Sequence, residues 1–398
     1  MEARVLAQDE LEHAWGVLEQ AFGGAPHPDD REVELGLVDP TRTLGAFDGE
    51  RLVGTAASFA MRMTFPGARR DIGGVTWVGV SPTYRRQGVL TSLMARQLAD
   101  LHDRGEAVAA LWASEGAIYP RYGYGLATAR YALTIPQGAA FARPVPEGRL
   151  SLVGPDQALL SQAYDGVAAV TAGWTARDNA WWAYRLYDPE HRRGGGGPLQ
   201  CVIDDQTGSY ALYRTKGQWA DTGPAGLVTV REVVSNTPAA TARLWRHLLD
   251  LDLMAKITYW SGALDDPLLQ LLAEPRSAAP SWCDGLYVRL VDVGAALSSR
   301  ALDTEVDVVL DITDARCPWN AGRWRLCGSR DGATCTTTTG AADLRLDVED
   351  LGAAFLGGTS LLSRAAAGRV EELRSGALVP ASRALGWTGP APSCPMIF

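Results

Sequence analysis

Val78-Gly79-Val80-Ser81-Pro82-Thr83-Tyr84-Arg85-Arg86-Gln87-Gly88-Val89-Leu90 is the stretch on which the fold turns. A β-branched run stops at Ser81-Pro82, because proline has no N–H to extend a ladder. A turn with two arginines follows, and Gly88 opens a run in which Leu90, Leu93, Met94, Leu98 and Leu101 share one helical face. A strand, a basic turn and a helix in that order make an anion site. The first N–H groups of the helix have no intrahelical acceptor, and the helix dipole adds about half a positive charge. Arg85 and Arg86 add cationic charge suited to a diphosphate, and Gly88 permits close approach. On this motif alone an ordinary strand-to-helix turn remains the alternative.

Upstream, Leu11, Trp15, Leu18 and Phe22 fall at helical spacing. Thr43–Phe47 and Leu52–Met63 read as strands joined by the hairpin signal Asp48-Gly49, and a strand is expected over Gly74–Val80. Downstream, Ala107–Ala113 reads as a strand, followed by a short helical turn with an aromatic, glycine-rich exit, Ile118-Tyr119-Pro120-Arg121-Tyr122-Gly123-Tyr124-Gly125. The proline-rich piece from Pro136 to Pro146 reads as a connector, so residues 1–146 form a first α/β domain.

Residues 147–284 repeat the logic more faintly. Strands at Ser209–Arg214 and Gly226–Val234, a helix at Pro238–Leu251 and a strand at Ala255–Trp260 follow the same order. Their strand-to-helix junction is Ser235-Asn236-Thr237-Pro238, with neither glycine nor arginine, as in a copy that kept its architecture and lost a phosphate site. The tetraglycine at 194–197 reads as a flexible loop. Residues 285–398 change character, with short strands at Val306–Asp311, Arg323–Cys327, Ala333–Thr339 and Leu344–Val348. Asp350 is placed to cap a helix from Leu351, and a second apolar helix is expected over Leu361–Leu373. The tail from Gly386 to Phe398 carries no periodicity.

Composition removes several classes. The net charge of −9 argues against nucleic acid and mildly favours a cationic acceptor. No run approaches the roughly 18–20 apolar residues of a membrane helix, and the N-terminus has no apolar signal core. Cys201, Cys283, Cys317, Cys327, Cys335 and Cys394 form no CxxC pair and have no histidine cluster nearby, which disfavours a metal site and fits a reducing cytoplasm.

Arg85-x-x-Gly88-x-Leu90 resembles the GCN5-related N-acetyltransferase (GNAT) signature Gln/Arg-x-x-Gly-x-Gly/Ala, departing at its last position. The segments VGVSPTYRRQGVL and ALWASEGAIYPRYGYGLAT resemble the enhanced intracellular survival (Eis) branch of that superfamily, and the resemblance covers the whole chain. It implies an α/β (α+β) fold with an N-terminal GNAT domain, a central degenerate GNAT-like domain and a C-terminal sterol-carrier-protein-like domain. It implies acetyl transfer from acetyl-CoA to an aminoglycoside or similar amine, a homo-hexamer, and a terminal carboxylate that reaches the active site, here that of Phe398. Val78, Gly79 and Val80 would serve the pantetheine arm and thioester. Arg86, Gln87, Gly88, Val89, Leu90 and Thr91 would wrap the pyrophosphate, with Ser114 and Glu115 across the groove, and Tyr119 matches the general acid. A phenol suits that role, since a pKa of about 10 is comparable to that of a departing thiolate. From the residues alone Tyr122 and Tyr124 compete with Tyr119. The Phe398 α-carboxylate is the implied base, there being no histidine in the motif region. Trp15, Phe22, Glu34 and Trp77 are the acceptor-side candidates. Two other functions compete: acetylation of a protein lysine or N-terminal amine, and a non-catalytic lipid-binding or scaffold protein, which Leu90 in the motif's small-residue position would favour.

Overall fold

The computed structural model describes residues 2–24 and 27–398. The chain folds into two compact units, one of residues up to 128 with 285–392 and 396–398, the other of residues 129–284 with 393–395.

The first unit is built on a seven-stranded sheet. Its elements are β1 (Glu2–Val5), α1 (Leu11–Phe22), α2 (Pro28–Leu35), β2 (Thr43–Asp48), β3 (Arg51–Phe65), β4 (Ala68–Val80), α3 (Val89–Asp103), β5 (Val108–Trp112) and β6 (Gly125–Leu126). The strands from β1 to β4 run antiparallel, while β4 and β5 are parallel, with α3 as the crossover. β4 begins at Ala68, ahead of the expected Gly74. Its first residues include Arg69-Arg70-Asp71, of which Arg70 and Asp71 are exposed, so apolar alternation gives no signal there. The side chains Leu93, Met94, Leu98 and Leu101 of α3 are all buried, as their spacing predicts.

The strand beside β5 comes from far along the chain. Leu286–Leu290 inserts between β5 and β6, antiparallel to both. Conversely, Ala129–Pro136 is a strand of the second unit's sheet, between Ser281–Asp284 and Met254–Gly262. The connector therefore starts after the first strand of the second sheet rather than before it. The connector is also anchored, with Ala142 N donating to Leu271 O and Ala273 N to Ala140 O, both at 2.8 Å.

The second unit repeats the first unit's order. Tyr210–Lys216 pairs antiparallel with Gly226–Val234, which pairs parallel with Met254–Gly262 across the helix Pro238–Leu249. The glycine loop at 194–197 is held by named bonds: Arg214 Nη1 donates to Gly197 O and Lys216 Nζ to Gly194 O, each at 2.8 Å.

The remainder of the first unit is a five-stranded sheet ordered 332–337, 322–329, 306–313, 344–347, 370–372. Two expectations fail here. The helix spans Val348–Ala354 and Asp347 caps it through Glu349 N, so Asp350 lies inside the helix, buried and paired with Arg364 and Arg369. The apolar segment from Leu361 is helical only to Ala366. Gly368, at φ +74°, ends it in the left-handed conformation glycine tolerates, and Val370–Glu372 continues as a strand. Helix Val348–Ala354 packs almost backbone to backbone on the first sheet. A Cβ at Gly125 would lie 2.0 Å from Glu349 O, and one at Gly352 would lie 2.3 Å from Val288 O.

Candidate active site

β4 and β5 stay together only where Gly73 and Gly74 face Ala109 and Ala110. Beyond that point Val78–Val80 have no β5 partner among the described residues, and the two strands part. The divergence has a local cause. The β3–β4 register shifts between Thr55 and Ala57, and Trp77 inside that bulge sits at φ +52°, rare for a bulky residue. Burial holds it there: Trp77 packs edge-on against Trp15 with ring centroids 5.3 Å apart.

A cleft of about 410 Å³ opens where the strands part. It is lined by Val78, Gly79 and Val80, by Arg85 to Thr91 except Gln87, and by Ser114, Glu115 and Tyr119. Eleven of the twelve expected cofactor residues therefore share one groove. Gln87 does not, because its amide turns back to donate to Thr83 O at 2.9 Å. Sequence reasoning did not assign Ala21, Tyr84, Ile118 and Arg121 to this groove, and it considered Phe22 and Tyr122 only in other roles. Ala21 and Phe22 end α1, and nothing in the sequence ties that helix to the turn at 85.

The turn itself is set up for an anion. Gly88 adopts φ +86° and precedes α3 with no side-chain cap, so the N–H groups of Val89 to Thr91 face the cleft unspent; Ser92 N is the first to bond back, to Gly88 O at 3.0 Å. A Cβ at Gly88 would meet nothing within 4 Å, so glycine is required there by conformation rather than by close approach within the protein. Arg86, also at positive φ (+63°), is exposed on the groove and has no ion-pair partner among the described residues. Arg85 differs: its Nη2 donates to Ala21 O at 2.9 Å, binding the end of α1 to the turn. Leu90, the departure from the motif, lies half-buried against the apolar cluster that holds Tyr119.

The second copy shows what losing the site involves. Thr237 caps its helix by accepting from Ala240 N at 3.2 Å, so that N–H is satisfied within the chain. One of its parallel strands, Gly226–Val234, carries Glu232, fully buried between Arg177, Arg185 and Tyr210. Burial alone would raise that carboxyl, but the two guanidinium groups hold it down to about 2.

Three tyrosines follow β5. Tyr119 is buried in the cleft wall, and burial pushes its hydroxyl up to about 12, with Tyr122 and Glu115 adding to the shift. The Tyr122 hydroxyl lies 3.3 Å from Thr91 Oγ1. Tyr124 is wholly buried and is not part of the cleft wall. Its hydroxyl is raised still further, by burial first.

Phe398 is not part of the cleft lining. The last residues nevertheless reach the sheet where β4 and β5 part. Trp112 Nε1 donates to Met396 O at 2.9 Å, and Phe398 Cε2 lies 3.3 Å from where a Cβ on Gly74 would sit. In the other unit Ser393 N donates to Ala172 O, and Ser393 Oγ accepts from Trp174 Nε1. Of the acceptor-side candidates, Trp15 and Trp77 are buried together, Phe22 is exposed on the cleft and Glu34 is half-buried.

Splayed parallel strands leading into an uncapped, glycine-opened helix define a GNAT acetyltransferase. Residues 2–127 and 173–290 each match an acetyltransferase (GNAT) domain, and residues 293–395 match a sterol carrier protein domain. An uncharacterized N-acetyltransferase of Streptomyces avermitilis is 43% identical, covering 96% of each chain. The N-acetyltransferase Eis of Mycobacterium tuberculosis is 34% identical, covering 82% of this chain and 81% of its own. The crystal structure of Eis1 from Mycobacterium abscessus superposes with a TM-score of 0.86 at 34% identity, over the whole of both chains. The chain belongs to the Eis family of N-acetyltransferases, with two GNAT domains followed by a sterol-carrier-like domain. Enzymes of this superfamily take acetyl-CoA as cosubstrate. None of the helices described is long and apolar enough to cross a membrane.

Proposed function

We propose that the enzyme moves acetyl from acetyl-CoA directly to a primary amine of an aminoglycoside or similar polyamine, with Tyr119 as general acid and the Phe398 carboxylate as general base. Acetyl-CoA supplies the electrophilic carbonyl and the thiol leaving group. The unspent N–H groups of Val89 to Thr91, with Arg86 beside them, suit a diphosphate. The unpaired edge of Val78–Val80 suits the pantetheine arm and thioester. Arg85 holds α1 against the turn.

The observation that carries the reading is the position of Tyr119, desolvated in the wall of this groove. Its phenol is a weaker acid than the sequence reading expected, at about 12. The mismatch is smaller than it looks, because burial acts on thiols in the same way. In this chain burial lifts Cys317 to about 11 and Cys335 to about 12. A thiolate leaving within the same apolar wall is raised likewise, and proton transfer from Tyr119 stays near balance. For the base, the terminal carboxylate has no cation partner among the described residues, and the tail is anchored by Trp112 rather than frayed. The homo-hexamer implied by the family is part of the same proposal, to be checked by light scattering.

Tyr119→Phe should lower kcat about a hundredfold while acetyl-CoA affinity, measured by calorimetry, is retained. An unchanged kcat removes Tyr119 from the role. Extending the chain past Phe398 should impair turnover with the melting temperature preserved; full activity places the base elsewhere. Thiol release with kanamycin-type amines against a basic peptide tests the acceptor class, and faster release with the peptide would overturn it.

A further inference from the structure

We propose that Arg121, with Arg316 beside it, is the seat of the 3′-phosphate of the donor's nucleotide, so that the enzyme distinguishes coenzyme A from 3′-dephospho-coenzyme A. This rests on the groove being the acetyl-CoA site.

Coenzyme A carries two separate anions. The diphosphate hangs on the 5′ oxygen of the ribose. A phosphate monoester, with a charge of about −1.5 to −2 at pH 7, hangs on the 3′ oxygen of the same sugar. The turn at 85–91 has donors for one of them: the Val89 to Thr91 N–H groups and Arg86 face the cleft, while Arg85 spends its Nη2 on Ala21 O. A second anion on that sugar calls for a cation on a neighbouring wall of the same groove.

Arg121 is placed to be that cation. It lines the cleft and is exposed there. Its Nε donates to Ile118 O at 2.9 Å, which fixes the side chain against its own turn. Both Nη groups are left as an open fork, the geometry that holds a phosphate through two parallel bonds. Tyr122 ties this fork to the anion turn. The Tyr122 hydroxyl lies 3.3 Å from Thr91 Oγ1, in the first turn of α3, and Arg121 Cζ lies 5.8 Å from the centre of the Tyr122 ring. The two seats are one tyrosine side chain apart.

A second arginine comes to the same ring from far along the chain. Arg316 Cζ lies 5.3 Å from the Tyr122 ring centre, and its Nε donates to Arg121 O at 3.2 Å. Neither arginine has a carboxylate partner among the described residues. Glu115, the only acid among the described lining residues, pairs with neither. The chain's net charge is −9, yet here two guanidinium groups gather beside one ring at the mouth of a groove. Like charges so placed repel, and a dianion at the Arg121 fork offsets that repulsion; the field of the pair also draws such a ligand in.

The test is calorimetry on the full chain with coenzyme A and 3′-dephospho-coenzyme A. The wild type should bind coenzyme A about tenfold tighter. Arg121→Met should lose that factor on coenzyme A and erase the difference between the two ligands. Arg121→Lys should keep part of it, because a point charge replaces the fork, and Arg316→Met should narrow it about threefold. Arg86→Met should weaken both ligands by one factor and leave their ratio intact, since both carry the diphosphate. A wild type that binds the two ligands alike would overturn the inference. So would an Arg121→Met variant that weakens both and keeps the ratio, which would mean a structural role or a contact with the diphosphate. Failure of the wild type to bind either ligand would instead refute the groove as the acetyl-CoA site.

Discussion

Gly88 and Gly123 give a matched pair of perturbations whose effects should separate. Both adopt positive φ, +86° and +82°, so alanine at either position carries backbone strain of about 1–2 kcal/mol. Their surroundings differ. The added methyl at Gly88 meets nothing within 4 Å, whereas at Gly123 it meets Arg289 Cζ and Nη1 at 2.8 Å and Val348 Cγ1 at 2.9 Å. Arg289 cannot swing aside, because Asp314 holds it and it is fully buried, so overpacking adds about 1–3 kcal/mol. At roughly 2–4 °C per kcal/mol, Gly88→Ala should lower the melting midpoint by about 2–8 °C and Gly123→Ala by about 4–20 °C. Acetyl-CoA affinity should rank the other way, because Gly88 sets the direction of the Val89–Thr91 N–H groups and Gly123 does not touch them. Scanning calorimetry without ligand and titration with acetyl-CoA measure the two orders. If the two readouts rank the variants alike, or if Gly88→Ala melts and binds like the wild type, the conformational argument for the anion turn is wrong.

Asp266 is buried in the second unit, and burial lifts its carboxyl to about 6 although Leu268 N and its own turn oppose the shift. A carboxyl raised in the folded state contributes stability that is complete below its unfolded value, near 4, and is lost as pH climbs through about 6. Asp266→Asn keeps an acceptor for Leu268 N without the charge, so it should raise stability at pH 7 by up to about 3 kcal/mol and change little at pH 4. Melting curves at the two pH values check this, and an equal shift at both would refute it. Residues 1–146 expressed alone lack Leu286–Leu290, leaving β5 as an unpaired edge, and should aggregate or fail to bind acetyl-CoA. A folded, binding fragment would show that the returning strand is dispensable.

The anion turn was legible because its chemistry is local: Pro82, Arg85, Arg86 and Gly88 lie within one turn of chain. The aromatic turn was legible for the same reason. Helix ends in the last hundred residues were not, although their signals were present. Asp347 stands one turn earlier than the acid expected as a cap, and Gly368 interrupts what looks like a continuous apolar helix. In both places the apolar periodicity runs on past the residue that breaks it, so the periodic signal masks the punctuation. Arg85 shows another limit: a guanidinium in the motif reads as a phosphate ligand, but in the fold its Nη2 goes to the carbonyl that ends α1.

The exchanged strands were not legible, for a deeper reason. Neither Ala129–Pro136 nor Leu286–Leu290 was read as a strand, and the apolar residues in them state only that a face is covered. They do not state which neighbour supplies the hydrogen bonds. The two sheets have equivalent places for such a strand, one beside β5 and one beside Met254–Gly262, and each is filled by the strand nearer in sequence to the other copy. That exchange has a chemical consequence. Tyr287 joins the apolar cluster of Tyr119, Tyr122 and Tyr124 only because its strand returns to the first sheet, and Cys317 joins it from further along the same returning segment. A GNAT domain read as residues 1–146 contains the phenol but not the whole of its apolar surroundings, so the environment of the candidate acid is completed by residues far further along the chain.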